Sequence, residues 1–171
     1  MKIVFSTKNV SRATFLDTCR FAYDYGFEGF EIYDAVRERS THHDSILRRD
    51  RIADAKRKLV NRNLAVSALR MPCPVESSET SAELIEKYVD MAIASGVENV
   101  IVRIEENISF DVLDEKMGTA IKRAQAADVN VLFETVGYLA NTEKVIEPMI
   151  KKEHPDWNIE ALPFDSYSPL T

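Results

Sequence analysis

Glycine is scarce in this chain of 171 residues, which has only five, at positions 26, 29, 96, 118 and 137. No G-x-G-x-x-G or Walker-type loop follows a strand-like run, so the phosphate-cradling turns of nucleotide-binding folds are missing. Cysteine is nearly absent too. Cys19 falls on the apolar side of a helix-period stretch and Cys73 in a Pro-bracketed loop, which argues against a disulfide framework and makes the cytoplasm the expected compartment. Positive charge is outnumbered, with 22 Lys and Arg against 28 Asp and Glu, a net charge of −6. No nucleic-acid partner is expected, because neutralising phosphates supplies most of that affinity. The densest basic cluster, Arg48, Arg49, Arg51, Lys56, Arg57 and Lys58, is interrupted by Asp50 and Asp54 and reads as the solvated face of one helix. Long apolar runs are lacking as well, and Met1 to Phe5 enters a strand pattern directly, so neither a membrane span nor a signal peptide is expected.

What is present is alternation. With 45% hydrophobic residues, 1–171 is enough for one domain with a sizeable core. Short apolar runs at Ile3–Ser6, Gly29–Tyr33, Ala65–Leu69, Asn99–Ile104 and Val129–Phe133 read as strands, and their starts recur every 26 to 36 residues. Helix-period stripes fill the gaps: Phe15, Leu16, Cys19, Ala22 and Tyr23; Ile52, the Lys56 stem, Leu59 and Val60; Leu84, Ile85, Tyr88, Val89, Ala92 and Ile93; Leu113, Met117, Ala120, Ile121 and Ala124; and Val145, Ile146, Met149 and Ile150. Gly26, Asn63 and Gly96 stand where the first three helices should stop. Thr80-Ser81-Ala82-Glu83 has the capping-box spacing, so the third helix should begin near Ser81. The nearly continuous β-branched run of strand four should be buried on both faces.

Strict strand-then-helix alternation requires parallel strands with right-handed crossovers, which leaves an open doubly wound sheet or a barrel. A sixth run, Ile159–Phe164, precedes the last residue, Thr171. Eight-unit barrels take about 250 residues, so the expected fold is a parallel (β/α) barrel truncated to about five and a half units. Sheet edges and helix faces left uncovered by missing units would call for a homodimer or a partner chain that completes the barrel.

Functional residues of parallel α/β folds gather at the C-terminal ends of the strands. The residues there are Thr7 and Asn9, then Glu31, Tyr33 and Asp34, then Arg70, then Arg103, Glu105 and Glu106, then Glu134, and finally Asp165. Glu31 lies within an apolar strand and needs a counter-ion, for which Arg103 is the expected partner. Glu134 is delivered at the mouth of a buried strand, where an oxygen donor can ligate a hard cation or act as a base. His42-His43-Asp44 imitates metal spacing, but neighbouring side chains diverge, and Asp44 reads better as a helix cap. His154 suits a helix C-terminus on the opposite end of the fold.

Lys2-Ile3-Val4-Phe5-Ser6-Thr7, Tyr25-Gly26-Phe27-Glu28-Gly29-Phe30-Glu31-Ile32 and Phe133-Glu134-Thr135-Val136-Gly137 with Ala140-Asn141-Thr142 resemble the xylose isomerase-like barrels. This sugar phosphate isomerase/epimerase group also holds the apurinic-site endonucleases. The resemblance covers the first five units and strand six of eight. It implies a metal-dependent isomerase or epimerase of a sugar or sugar phosphate, working by proton abstraction next to a carbonyl. A divalent metal, Mn²⁺ or Mg²⁺ with Zn²⁺ as a further candidate, would be held by Glu134, which also acts as the base, and by Asp165. The remaining two ligands of the pattern, a His and a Glu from strands seven and eight, have no counterpart in the chain. Ser168 stands where many members have a substrate-contacting His, and the endonuclease branch fits worse because Arg70 and Arg103 stand at its His positions. Arg70, Arg103 and Tyr33 are the expected substrate-binding residues. The rival expectation is a catalytically inactive partial barrel serving as a binding or assembly module.

Overall fold

In a computed structural model, the structure describes residues 3–10, 13–35, 52–104 and 110–135. Strands and helices alternate through them: β1 (Val4–Ser6), α1 (Phe15–Asp24), β2 (Gly29–Tyr33), α2 (Ile52–Val60), β3 (Ala65–Arg70), α3 (Ala82–Ser95), β4 (Asn99–Ile104), α4 (Phe110–Ala126) and β5 (Asn130–Thr135). A short 3-10 turn, Thr7–Val10, follows β1. The expected sixth strand, the fifth helix and residues His42, His43, Asp44, Glu105, Glu106, His154, Asp165 and Ser168 lie outside the described residues.

All the strands are parallel and pair in the order β1-β2-β3-β4-β5. That order removes the ambiguity between the two architectures. A doubly wound sheet reverses its direction at a switch point, whereas here every right-handed crossover advances the same way and leaves the helices on one face. The result is the wall of a (β/α) barrel, with an outer face under the helices and an inner face that is concave.

The outer face is the core. Phe30, Ile32, Leu69, Val100, Val102 and Ile104 from the strands pack with Phe15, Cys19, Ala22, Ile85, Tyr88, Val89, Ala92, Met117, Ala120 and Ala124 from the helices. The third helix starts at Ser81, whose hydroxyl accepts a hydrogen bond from the Leu84 amide at 3.2 Å, and ends at Gly96 in the left-handed conformation at φ 67°. Thr80 serves the preceding loop instead, donating from Oγ1 to the Pro74 carbonyl at 2.8 Å, so Thr80 and Glu83 form no capping box. A complete capping box occurs at Thr14 and Asp17, at the start of α1.

The helix stripes hold at most positions and depart from expectation at a few. Tyr23, Val60 and Ile93 are exposed, while Thr18, Ala55, Leu64 and Ser95 are buried. The core contacts only a limited arc of each helix, and a five-residue stripe overruns it at the helix ends. Strand β4 is also less enclosed than its β-branched run suggests. Val100, Val102 and Ile104 are buried, Asn99 and Ile101 are half-buried and Arg103 is exposed, an alternation set by the open concave face.

The parallel register places Ser6, Glu31, Ala68, Arg70, Ile101, Arg103, Leu132 and Glu134 together on that inner face. An irregularity in β3 makes this possible. Phe30 pairs with Val66, but Glu31 pairs with Ala68, so Ser67 is an extra residue without a partner in β2. One added residue inverts the faces of everything after it, sending Leu69 into the core and Arg70 to the inner surface. The Ser67 carbonyl accepts a hydrogen bond from Asn99 Nδ2 at 2.8 Å, which binds the bulge to β4.

Candidate functional site

The C-terminal ends of the strands are tied to one another before any functional group is considered. Thr7 is buried, and its Oγ1 accepts a hydrogen bond from the Tyr33 amide at 2.9 Å, linking the end of β1 to the end of β2. Tyr33 donates from its hydroxyl to the Pro72 carbonyl at 3.3 Å, and Lys8 Nζ lies 5.3 Å from the centre of its ring. The loop after β3 runs on beside β4, with the Val75 amide donating to the Arg103 carbonyl at 3.0 Å. Lys116 of α4 clamps that loop, donating to the carbonyls of Val75 at 2.7 Å and Ser77 at 3.3 Å.

Within this rim a chain of polar groups crosses the concave face. Ser6 Oγ donates to Glu31 Oε1 at 2.7 Å. Glu31 Oε2 faces Arg70 Nη1 at 3.4 Å, and Arg70 Nη2 is paired with Glu134 Oε2. Arg70 is on β3 and Glu134 on β5, so the guanidinium reaches past β4. Two strand spacings are about 10 Å in a flat sheet, and the curvature of the wall together with the long Arg stem closes that gap. The side chains of Glu31, Arg70 and Glu134 are 12%, 23% and 40% exposed, so the line runs from an enclosed end at Glu31 to an open one at Glu134.

Burial alone would lower the pKa of Arg70, but the hydrogen bond to Glu134 and the charges of Glu31 and Glu134 outweigh it and raise the pKa above its ordinary value. The guanidinium is therefore cationic at every accessible pH. Two carboxylates against one guanidinium leave the group with one net negative charge.

These contacts correct one expectation. Glu31 is paired with Arg70 of the adjacent strand and with Ser6, not with Arg103. The bulge at Ser67 explains the difference, since without it Arg70 would face the helices. Arg103 stays on the inner surface, in register with Glu134 and exposed. Arg70 and Glu134 also prove to lie inside their strands, not beyond them. The structure thus brings Glu31, Arg70 and Glu134 together, with Arg103 beside Glu134 in the register and Tyr33 at the β2 end. Ser6 and Lys8 went unnoticed in the sequence. Period-two counting along β1 does place Ser6 on the face of Glu31.

Among the described residues no group of three or more His, Cys, Asp or Glu could hold a metal ion. Glu134 is the one described member of the expected ligand pair, and its Oε2 is engaged by a guanidinium. These residues do not by themselves fit a divalent cation.

No protein-family model matches the chain, and no curated protein sequence does. Solved structures do match its fold. A xylose isomerase domain-containing protein from Salmonella typhimurium LT2 superposes with a TM-score of 0.65 at 12% identity, covering 89% of this chain and 56% of that one. A sugar phosphate isomerase/epimerase from Parabacteroides distasonis gives 0.56 at 17% identity, covering 78% of this chain and 51% of that one. The 3-keto-D-glucoside 4-epimerase of E. coli gives 0.55 at 15% identity, covering 78% and 55%. The fold is therefore that of the xylose isomerase-like barrels, and the chain spans a little over half the length of these proteins.

Proposed function

We propose that this chain carries part of the active site of a sugar or sugar phosphate isomerase or epimerase. The observation that supports it is the carboxylate of Glu134, presented from β5 onto a concave polar surface of an isomerase-like barrel and held there by Arg70. A carboxylate in that place can take a proton from the carbon next to a sugar carbonyl. The electron pair of the broken C–H bond moves into an ene-diolate. Returning the proton to the neighbouring carbon gives an isomer, and returning it to the other face of the same carbon gives an epimer. Arg70, Arg103 and Tyr33 stand along the same rim and would orient hydroxyl or phosphate groups of the substrate.

A divalent ion, Mn²⁺ or Mg²⁺ with Zn²⁺ as the third candidate, would belong to this reading only with donors besides Glu134 and Asp165, the two residues that would help to hold it. When bound it would polarise carbonyl and hydroxyl oxygens. The competing reading, an inactive module completed by a second copy or a partner chain, is favoured by the exposed Val4 and Leu132, which are 40% and 45% accessible.

Incubation in D₂O with Mn²⁺ or Mg²⁺ and a panel of aldoses, ketoses and their phosphates, followed by NMR, tests the enzyme reading. Deuterium should enter the carbon next to the carbonyl, and Glu134→Gln should abolish that exchange. A folded wild type that exchanges none of the panel, or exchanges no faster than Glu134→Gln, overturns it.

A further inference from the structure

The cations of the concave face are not equally committed. The guanidinium of Arg70 is shared by Glu31 and Glu134, which together outweigh its charge. Arg103 lies in register with Glu134, so an anion held there would crowd the proposed base. Lys8 differs from both. It is exposed in the turn that follows β1, and among the described residues its ammonium meets no carboxylate, only the ring of Tyr33, 5.3 Å from the centre.

The Tyr33 ring is itself well placed. Two residues on from Glu31 and in register with Arg70, it lies on the inner face, one layer nearer the mouth than Glu31. Its amide is fixed by Thr7 and its hydroxyl by the Pro72 carbonyl. The hydroxyl is therefore used within the protein, and what Tyr33 offers to the concave face is its ring. The Lys8 backbone is anchored on the same side, its amide donating to Ser6 Oγ at 3.4 Å. An ammonium has three donors, and a ring covers only one side of it, so Lys8 can rest on Tyr33 and still hold an anion.

We infer that Lys8, steadied on the ring of Tyr33, is a specificity-determining residue of the proposed site and takes the phosphate of a sugar whose carbonyl lies at the other end. This rests on the reading of the face around Glu134 as a sugar isomerase site, and it narrows the substrate to a sugar with a terminal phosphate. The spacing of the strands supports that arrangement. β2 and β5 are three strand spacings apart, about 14 Å in a flat sheet. The curvature that lets Arg70 touch Glu134 shortens this span. A phosphate beside Tyr33 and a carbon beside Glu134 are then the two ends of one extended sugar, not neighbouring groups of it. Lysine suits the task as a compact charge on a flexible stem, able to follow the phosphate as it enters.

Calorimetric titration of the whole chain tests this, with ribose 5-phosphate, fructose 6-phosphate, the two parent sugars and inorganic phosphate as probes. The proteins are wild type, Lys8→Gln, Tyr33→Phe and Tyr33→Leu. Wild type should bind each sugar phosphate about tenfold more tightly than its parent sugar, and Lys8→Gln should lose that preference while binding the parent sugars as before. Lys8 is exposed, so its variant should fold. Tyr33→Phe keeps the ring and should keep the preference, whereas Tyr33→Leu removes the platform and should reduce it about threefold. Equal affinity for sugar and sugar phosphate, or a preference that survives Lys8→Gln, overturns the inference and leaves the role of Glu134 standing. Inorganic phosphate bound as tightly as the sugar phosphates overturns it too, since the sugar then contributes nothing. No binding of any probe by wild type overturns it as well. A preference lost in Lys8→Gln, with no deuterium exchange in D₂O, upholds the phosphate site and overturns the isomerase reading alone.

Discussion

Arg70 and Glu31 stand on neighbouring strands with Nη1 and Oε2 3.4 Å apart, and this contact organises the concave face of the sheet. Arg70→Met should destabilise the chain by about 3 kcal/mol, because it leaves a largely buried carboxylate without a counter-charge. Removing both partners in Glu31→Gln/Arg70→Met should recover most of that loss. Urea unfolding of the three proteins checks it, and a double variant no more stable than Arg70→Met would exclude a compensating pair.

The bulge at Ser67 depends on a side chain of the next strand. Asn99 donates from Nδ2 to the Ser67 carbonyl at 2.8 Å and accepts through Oδ1 from Asn130 Nδ2 at 3.1 Å. Asn99→Ala removes both contacts and should cost about 2 kcal/mol, since the bulged carbonyl loses the partner that replaces its ladder bond. Hydrogen exchange should show faster opening of β3 and β4 than of α3. Uniform protection equal to wild type would dismiss the bulge as a dependent element.

Two glycines should respond differently to alanine. A Cβ at Gly29 would run into the Ala65 carbonyl oxygen, so Gly29→Ala must push β2 and β3 apart, at about 3 kcal/mol. At Gly26 nothing lies within 4 Å, and only its φ of 72° opposes a side chain, so Gly26→Ala should cost about 1 kcal/mol. Thermal melts of the two variants give the ranking directly, and a reversed order would mean that the strand spacing is softer than the structure implies.

Cys19 is fully buried, and its burial raises the thiol from 9.0 to about 11. A raised pKa means the folded state holds its proton longer than the unfolded state. The contribution is complete below pH 9.0 and is lost as pH climbs toward about 11. Stability measured by urea should therefore decline across that window, and Cys19→Ala should flatten the decline. At pH 8 a small alkylating agent should modify Cys73, which is half-buried, well before Cys19. Equal labelling of the two thiols in the folded protein would contradict the burial.

Local pattern along the chain suffices for the parallel α/β class, the five described strands, the four helices between them, and the strand ends as the seat of any chemistry. These are local matters: a run of Val and Ile, a helical stripe and a glycine at φ 67° specify the same structure wherever the chain lies. It also singled out Glu31, Arg70 and Glu134 individually, because a charge within an apolar run or at its end breaks the pattern. Which of them meet depends on how the strands pack together. An open sheet and a barrel share one alternation, and strand order alone separates them. The pairing of Glu31 with Arg70 in place of Arg103 depends on one unpaired residue, Ser67, that inverts the faces of β3. A bulge has no fixed signature in composition or period, since it arises from how two strands settle against each other. The contact of Arg70 with Glu134 depends further on sheet curvature, which carries β5 toward β3 across an intervening strand.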